Sequence, residues 1–200
     1  MAKSQALLML VLCILSITTT TTTTTVAGGA TSTGFVVEKC RATRYATLCV
    51  ESLSAYATKI QHNQQLLAQT ALSVSLQRAK STKAFIDRLS RVKGLRHHEA
   101  AALKDCVEVI GDTVEWLAKS ALELQRANNQ ARPQEFRWHI SNVQTWVSAA
   151  LTDDNTCVDG FGGRATNDRV KSAVNVQVQN VVHYTSNALA LINQYASKHY

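Results

Sequence analysis

Seven apolar residues between positions 103 and 124 follow an unbroken heptad pattern. Their spacing alternates between four residues and three: Leu103, Val107, Ile110, Val114, Leu117, Ala121 and Leu124. Such spacing places all seven on one side of a helix for three heptads. A helix with one long apolar stripe needs other helices to cover that stripe, so the pattern predicts a helical bundle.

Three further segments carry stripes of the same kind. They are predicted as helices over 64–92, from Pro133 to 152 and over 166–197, while the heptad helix ends near residue 126. Valines between 170 and 182 favour a strand by propensity, but the helical period overrides that weak preference. Four long helices joined by short links predict an up-and-down four-helix bundle.

Two short helices are predicted ahead of the bundle. Cys40 and Cys49 are nine residues apart, which suits a hairpin of helices at about 34–40 and 45–58. A disulfide closing that ten-residue loop would contribute about 2.7 kcal/mol in the chain-entropy description. The predicted fold class is therefore all-α: a four-helix bundle preceded by a short N-terminal helical hairpin.

Residues 1–30 have the features of a secretory signal followed by a threonine-rich segment. A positive start precedes the apolar run Ala6 to Ile17, and eight threonines, Thr18 to Thr25, follow it. Twelve apolar residues suit a signal core, and an uncleaved anchor is disfavoured because a membrane span needs roughly 20. We expect residues 1–30 to be removed wholly or mostly, leaving residues 31–200 as a secreted, extracellular domain without a membrane segment.

Four cysteines remain after the signal, which itself contains Cys13. An even number in an oxidising compartment suggests two disulfides, for which three pairings are possible: Cys40, Cys49, Cys106 and Cys157. Cys106 lies near the start of the heptad helix, level with the end of the antiparallel helix that follows. Geometry therefore favours a bond between Cys106 and Cys157, whose loop of about 50 residues would contribute roughly 4 kcal/mol.

The sequence contains none of the catalytic or metal-binding patterns that we sought. His97-His98-Glu99 lacks the histidine spacing of a metalloprotease helix, no CxxC pair is present, and no GxSxG or phosphate-binding loop occurs. The net charge of +7 is scattered rather than clustered, which disfavours nucleic acid and is compatible with attraction to acidic polymers. We therefore predict no catalytic residue, no metal, no cofactor and no enzymatic activity.

Several motifs together resemble the plant invertase/pectin methylesterase inhibitor family. They occur in the same order as the four cysteines and extend the likeness over about residues 34–197: ALKDCVE at 102–108, QTWVSAALT at 144–152, TCVDGF at 156–161 and SNALALI at 186–192. The resemblance implies extracellular plant proteins with a four-helix bundle and an N-terminal hairpin. It also implies first-to-second and third-to-fourth cysteine pairing, and inhibition of one enzyme through a 1:1 complex over its active-site cleft.

The resemblance leaves two target enzymes, of which pectin methylesterase is favoured. Invertase-directed members carry Pro-Lys-Phe leading into the fourth helix, whereas this chain has Pro133-Gln134-Glu135-Phe136, with an extra residue and no lysine. The alternatives are an inhibitor of acid invertase and a non-inhibitory wall module that binds acidic pectin.

The contact surface implied by the resemblance lies on the second, third and fourth helices of the family. On these helices the helical pattern predicts exposed polar residues that are candidates for binding the esterase: Thr82, Lys83, Glu108, Asp112, Thr113, Glu115, Thr145 and Ser148.

Overall fold

A computed structural model describes residues 27–128, 132–162 and 168–198, with only the backbone of 27–31, 128 and 168. The predicted signal core and threonine run lie outside these ranges. All regular structure in the described ranges is helical: α1 Ala27–Cys40, α2 Ala46–Leu53, a 3-10 turn Ser54–Tyr56, α3 Ala57–Ile60, α4 Gln64–Ser90, α5 His97–Asn128, α6 Pro133–Asp159 and α7 Asp168–Ala196. None of these helices is long and apolar enough to cross a membrane.

The four long helices α4 to α7 form the predicted up-and-down bundle. Helix α5 packs between α4 and α6, and α7 closes the bundle by packing against both α4 and α6. Each helix contributes fully buried side chains to one core cluster, for example Leu72, Leu117, Val147 and Val181. The all-α fold class is thus confirmed, and burial of these apolar stripes holds the bundle together.

The N-terminal hairpin covers the end of the bundle where α4 begins and α7 ends. Buried residues of α1 and α2, among them Val36 and Leu53, pack against Leu191 of α7, and the predicted Cys40–Cys49 disulfide is present. The prediction of one helix over 45–58 was wrong, because the 3-10 turn at Ser54–Tyr56 separates α2 from α3. Asn63 then caps the start of α4, where its side chain accepts a hydrogen bond from the Leu66 amide.

Helix α6 continues two turns beyond the predicted end at residue 152. Its residues 154 and 157 extend the buried stripe from Ala150 in steps of four and three, and both are buried. Thr113 Oγ1 donates to Asp154 Oδ1 at 2.9 Å, and Cys157 is bonded to Cys106 of α5. The prediction that Cys157 follows the helix was therefore wrong, while its pairing with Cys106 is confirmed.

Candidate partner-binding surface

Three of the candidate residues form an exposed row of carboxylates along α5. Glu108, Asp112 and Glu115 follow one another at steps of four and three, which puts them on one helix face. All three are exposed to solvent. We call this row the acidic ridge. Its charge is opposite to the net +7 of the chain, so the ridge is a local feature of this surface.

Thr145 of α6 lies beside the α5–α6 groove. Three residues before it, Asn142 Nδ2 donates to Glu123 Oε1 of α5 at 2.9 Å, so this side of α6 faces α5. Thr145 is exposed, and its hydroxyl donates to the Ser141 carbonyl oxygen within its own helix at 2.9 Å. The threonine methyl and the hydroxyl's remaining acceptor capacity are thus what it offers to a partner.

Ser148 and Lys83 lie on either side of this groove. Ser148 is exposed. It lies one turn after Gln144, whose amide nitrogen donates to Asn193 Oδ1 of α7 at 2.8 Å, so Ser148 is on the side of α6 that is turned toward α7. Lys83 is half-buried and its side chain lies along α5, where a Cβ added to Gly111 would be 3.2 Å from Lys83 Cε. The absence of a side chain at Gly111 therefore lets the lysine pack against the ridge helix.

Thr82 and Thr113 are fully buried, so their predicted exposure was wrong. Thr82 Oγ1 donates to the Gln177 carbonyl oxygen of α7 at 3.4 Å, and Thr113 binds Asp154 inside the bundle. The error has a physical cause, because a helix packed on two neighbours buries a stripe wider than the a and d positions of a heptad. Side chains without accessible surface cannot touch a partner while the bundle stays closed.

The sequence reasoning missed a set of carboxylates that extends from the ridge into the bundle. Behind exposed Asp112 lies half-buried Asp153, and behind it Asp154, which is fully buried. Burial and the charge of Asp112 raise the pKa of Asp153, against a hydrogen bond from Trp116 that lowers it. Burial raises the pKa of Asp154 to about 7, with the hydrogen bond from Thr113 opposing and the charge of Asp153 adding to the shift. The signal for Asp154 in the sequence was its place on the buried stripe of α6.

The Pro133–Phe136 stretch begins α6, but its aromatic side chain belongs to the core. Pro133 is the first residue of the helix, and Phe136 is only 6% exposed. Its ring meets the Tyr195 ring edge-on, with centroids 5.7 Å apart. The phenylalanine is therefore not displayed at the surface.

Neither the histidines nor the cysteines form a metal centre in the part of the chain that the structure describes. No group of three or more His, Cys, Asp or Glu side chains there is arranged to hold an ion. His97 and His98 are exposed in the first turn of α5, while Glu99 turns back to accept hydrogen bonds from the Arg96 backbone and side chain. Glu99 thereby caps the start of α5 through the Arg96 amide.

Comparison with known proteins agrees with the fold and the motifs. The sequence model of the plant invertase/pectin methylesterase inhibitor family matches residues 34–191. "Pectinesterase inhibitor 9" of Arabidopsis thaliana is 52% identical over 169 residues, which cover 84% of this chain and 83% of that protein. The "21 kDa protein" of Daucus carota is 44% identical over 173 residues, covering 86% and 89% of the two chains.

Solved structures of similar fold point the same way. A crystal structure of a mutant pectin methylesterase inhibitor from Arabidopsis superposes with a TM-score of 0.61, at 21% identity, over 77% of this chain and 92% of that one. A second crystal structure, of a pectin methylesterase inhibitor from Arabidopsis thaliana, gives a TM-score of 0.55 at 21% identity over 80% of this chain and 95% of that one. With the heptad helices, the two disulfides and the matched residues, these findings lead to one conclusion: the chain belongs to the plant invertase/pectin methylesterase inhibitor family, a family of inhibitor proteins rather than enzymes.

Proposed function

We propose that this chain is a secreted inhibitor of plant pectin methylesterase that acts in the cell wall. The observation that carries the proposal is the 52% identity to "Pectinesterase inhibitor 9" over more than four fifths of both chains. In this proposal the mature domain, residues 31–200, forms a 1:1 complex over the active-site cleft of the esterase. Methylesterified pectin is then kept from the catalytic groups, and its demethylesterification stops.

The acidic ridge is the part of the surface that we propose meets the esterase. Exposed carboxylates on one helix face accept hydrogen bonds and attract cationic side chains, which favours fast and selective association. The bundle supports them on a stiff base, because α5 is fixed to α6 by the disulfide and by the buried Thr113–Asp154 hydrogen bond. A rigid surface loses little conformational freedom on binding, so more of the contact energy appears as affinity.

A pair of charge reversals tests this assignment. In Asp112→Lys the centre of the ridge changes sign, whereas in Glu51→Lys the same change is made at an exposed position of α2, outside the ridge. We expect the first variant to weaken inhibition of the esterase by about tenfold or more, and the second by less than about twofold. Methanol release from methylesterified pectin gives the inhibition constants. Equal inhibition by both variants and the unchanged chain would show that the ridge is not the contact surface.

The burial of Phe136 favours the esterase over acid invertase as the target. An invertase-directed motif would need its aromatic residue at the surface, but this ring packs against Tyr195 in the core. A parallel titration of acid invertase is therefore expected to leave its activity unchanged. Loss of invertase activity together with intact esterase activity would overturn the choice of target.

A further inference from the structure

A second surface feature lies between the hairpin and the bundle, on the side formed by α4 and α7. It is a cleft of about 330 Å³ whose walls come from α2 and the following turn, α4 and α7, and include Ser52, Tyr56, Gln77, Arg78 and Tyr184. We call it the Arg78 cleft. We infer that it binds the uronate rings of an acidic polysaccharide, through a carboxylate–arginine contact and packing of the sugar against tyrosine.

Arg78 is held in place by tyrosine and not by an acid. Its guanidinium carbon lies 4.9 Å from the Tyr184 ring centroid, and its Nη2 donates to the Tyr184 hydroxyl at 3.2 Å. No carboxylate of the described residues lies within 4 Å of this exposed guanidinium. An oriented guanidinium with N–H groups still directed to solvent suits the two oxygens of a carboxylate.

The rest of the cleft suits a sugar ring. Tyr56 is 37% exposed, and with Tyr184 it supplies aromatic surface against which the apolar face of a pyranose can pack. The Gln77 amide both donates and accepts, as do the hydroxyl groups of a sugar. None of the described residues that line the cleft is acidic. A volume of 330 Å³ is near the lower end of the range of about 300–1,000 Å³ for small-ligand sites, enough for about one or two rings.

A second arginine is seated on an aromatic ring where the hairpin meets α7. Arg44 lies 5.6 Å from the Tyr45 ring centroid, and Tyr45 stacks at 3.8 Å on His183, the residue before Tyr184. Burial and the charge of Arg44 lower the pKa of His183, which favours the neutral imidazole. The positive charge of this group of residues at neutral pH is therefore that of Arg44. A polymer with a carboxylate on each ring has further acidic groups outside the cleft for a cation such as Arg44, which a ligand with a single acidic group lacks.

The Arg78 cleft is separate from the acidic ridge, because its lining residues lie on α2, the following turn, α4 and α7, whereas the ridge lies on α5. The inference thus goes beyond inhibition and does not depend on it. One side of the domain would bind the polyuronate of the wall, and another side would present the acidic ridge to the esterase.

Binding of an oligomer of six α-linked galacturonate rings tests the inference, measured by calorimetry at about 150 mM salt to screen diffuse charge. We expect Arg78→Ala to weaken binding by about tenfold or more, and Arg78→Lys to weaken it as well, because lysine lacks the planar fork. Arg88→Ala is the matched control: it removes an exposed arginine from the same helix and should change binding by less than about twofold. The fully methylesterified oligomer should not bind measurably.

Other results would overturn the inference. These are no binding by the unchanged chain, equal weakening by Arg78→Ala and Arg88→Ala, or equal binding of the methylesterified oligomer. Thermal unfolding of each variant confirms that it is folded, and Tyr184→Phe provides a second variant that keeps the ring but removes the hydroxyl bonded to Arg78. Esterase inhibition, measured in parallel, should be unchanged in Arg78→Ala. If the inhibitor proposal itself fails, inhibition will be absent in every variant and in the unchanged chain, so the two failures can be told apart.

Discussion

Two buried carboxylates of the bundle, Glu123 and Asp154, have pKa values shifted in opposite directions. Burial acts to raise the pKa of Glu123, but hydrogen bonds from Asn142, His139 and Arg126 outweigh it and hold the pKa below its ordinary value. Among the described residues, Asp154 has one hydrogen bond, from Thr113 to Oδ1, and no partner for Oδ2. The number of donors therefore decides which buried acid keeps its charge.

The raised pKa of Asp154 predicts that the protein loses stability as pH rises. The unfolded chain releases this proton near pH 4, whereas the folded chain keeps it until about pH 7. Stability from this group is full below pH 4 and falls between pH 4 and 7, by at most roughly 4 kcal/mol. Urea unfolding at several pH values should show this slope in the unchanged chain and a flatter one in Asp154→Asn. The exposed-site control Glu51→Gln should keep the slope; identical slopes in all three proteins would contradict the assignment.

Thr113, which is buried, and Thr145, which is exposed, form a matched pair for testing what a candidate threonine does in the core and at the surface. Thr113→Val removes the one donor that the described residues offer to the buried Asp154 carboxylate and should cost about 1–3 kcal/mol of unfolding free energy. Thr145→Val changes an exposed residue and should cost less than about 0.5 kcal/mol. At a temperature where both are folded, Thr113→Val should inhibit the esterase like the unchanged chain. Loss of inhibition in folded Thr113→Val would mean that the residue acts at the contact surface after all.

Exposure of single residues was only partly predictable from the sequence. The heptad pattern identified the middle of each buried stripe, including Leu103 and Leu117 of α5, which are fully buried. It misjudged Thr82 and Thr113, because a polar residue at the border of a stripe can be buried once it finds a partner on another helix. That partner, such as Asp154 for Thr113, is distant in sequence and cannot be read from a local pattern.

At the scale of helices, the largest difference from expectation is the length of α6. Residues 152–156 are all polar and favour a helix end by composition. The helix continues because Asp154 and Cys157 are tied to α5, while the side chains of Thr152, Asn155 and Thr156 bond to carbonyl oxygens four residues back. Tertiary contacts thus outweigh local preference at this helix end. The starts of α4 and α6, where local rules dominate, were predicted well, whereas α1 begins at Ala27 and not near the predicted residue 34.

The two disulfides should contribute differently to stability. The bond between Cys106 and Cys157 closes the longer loop and joins two bundle helices, so replacing both by alanine should cost roughly 4 kcal/mol. Replacing Cys40 and Cys49 should cost about 2.7 kcal/mol and mainly loosen the hairpin. Urea unfolding gives the totals, and amide exchange shows which helices lose protection. A larger loss from the hairpin pair would contradict this ranking.

At the scale of the whole molecule, the acidic ridge and the Arg78 cleft are formed by different helices. The net charge is +7, yet the acidic ridge lies on α5 and the Arg78 cleft lies between α4 and α7. The bundle itself was predictable, because apolar periodicity and short links leave few topologies. The partner was not predictable from the pattern alone, since exposed residues are not determined by the core, and family resemblance was needed to nominate the surface.

The proposed inhibition of pectin methylesterase in a 1:1 complex can be tested by a titration at enzyme concentrations well above the dissociation constant. Methanol release should fall in proportion to added residues 31–200 and reach its minimum at about one inhibitor per enzyme, with acid invertase unaffected. Undiminished release at excess inhibitor, across a panel of plant pectin methylesterases, would contradict the account.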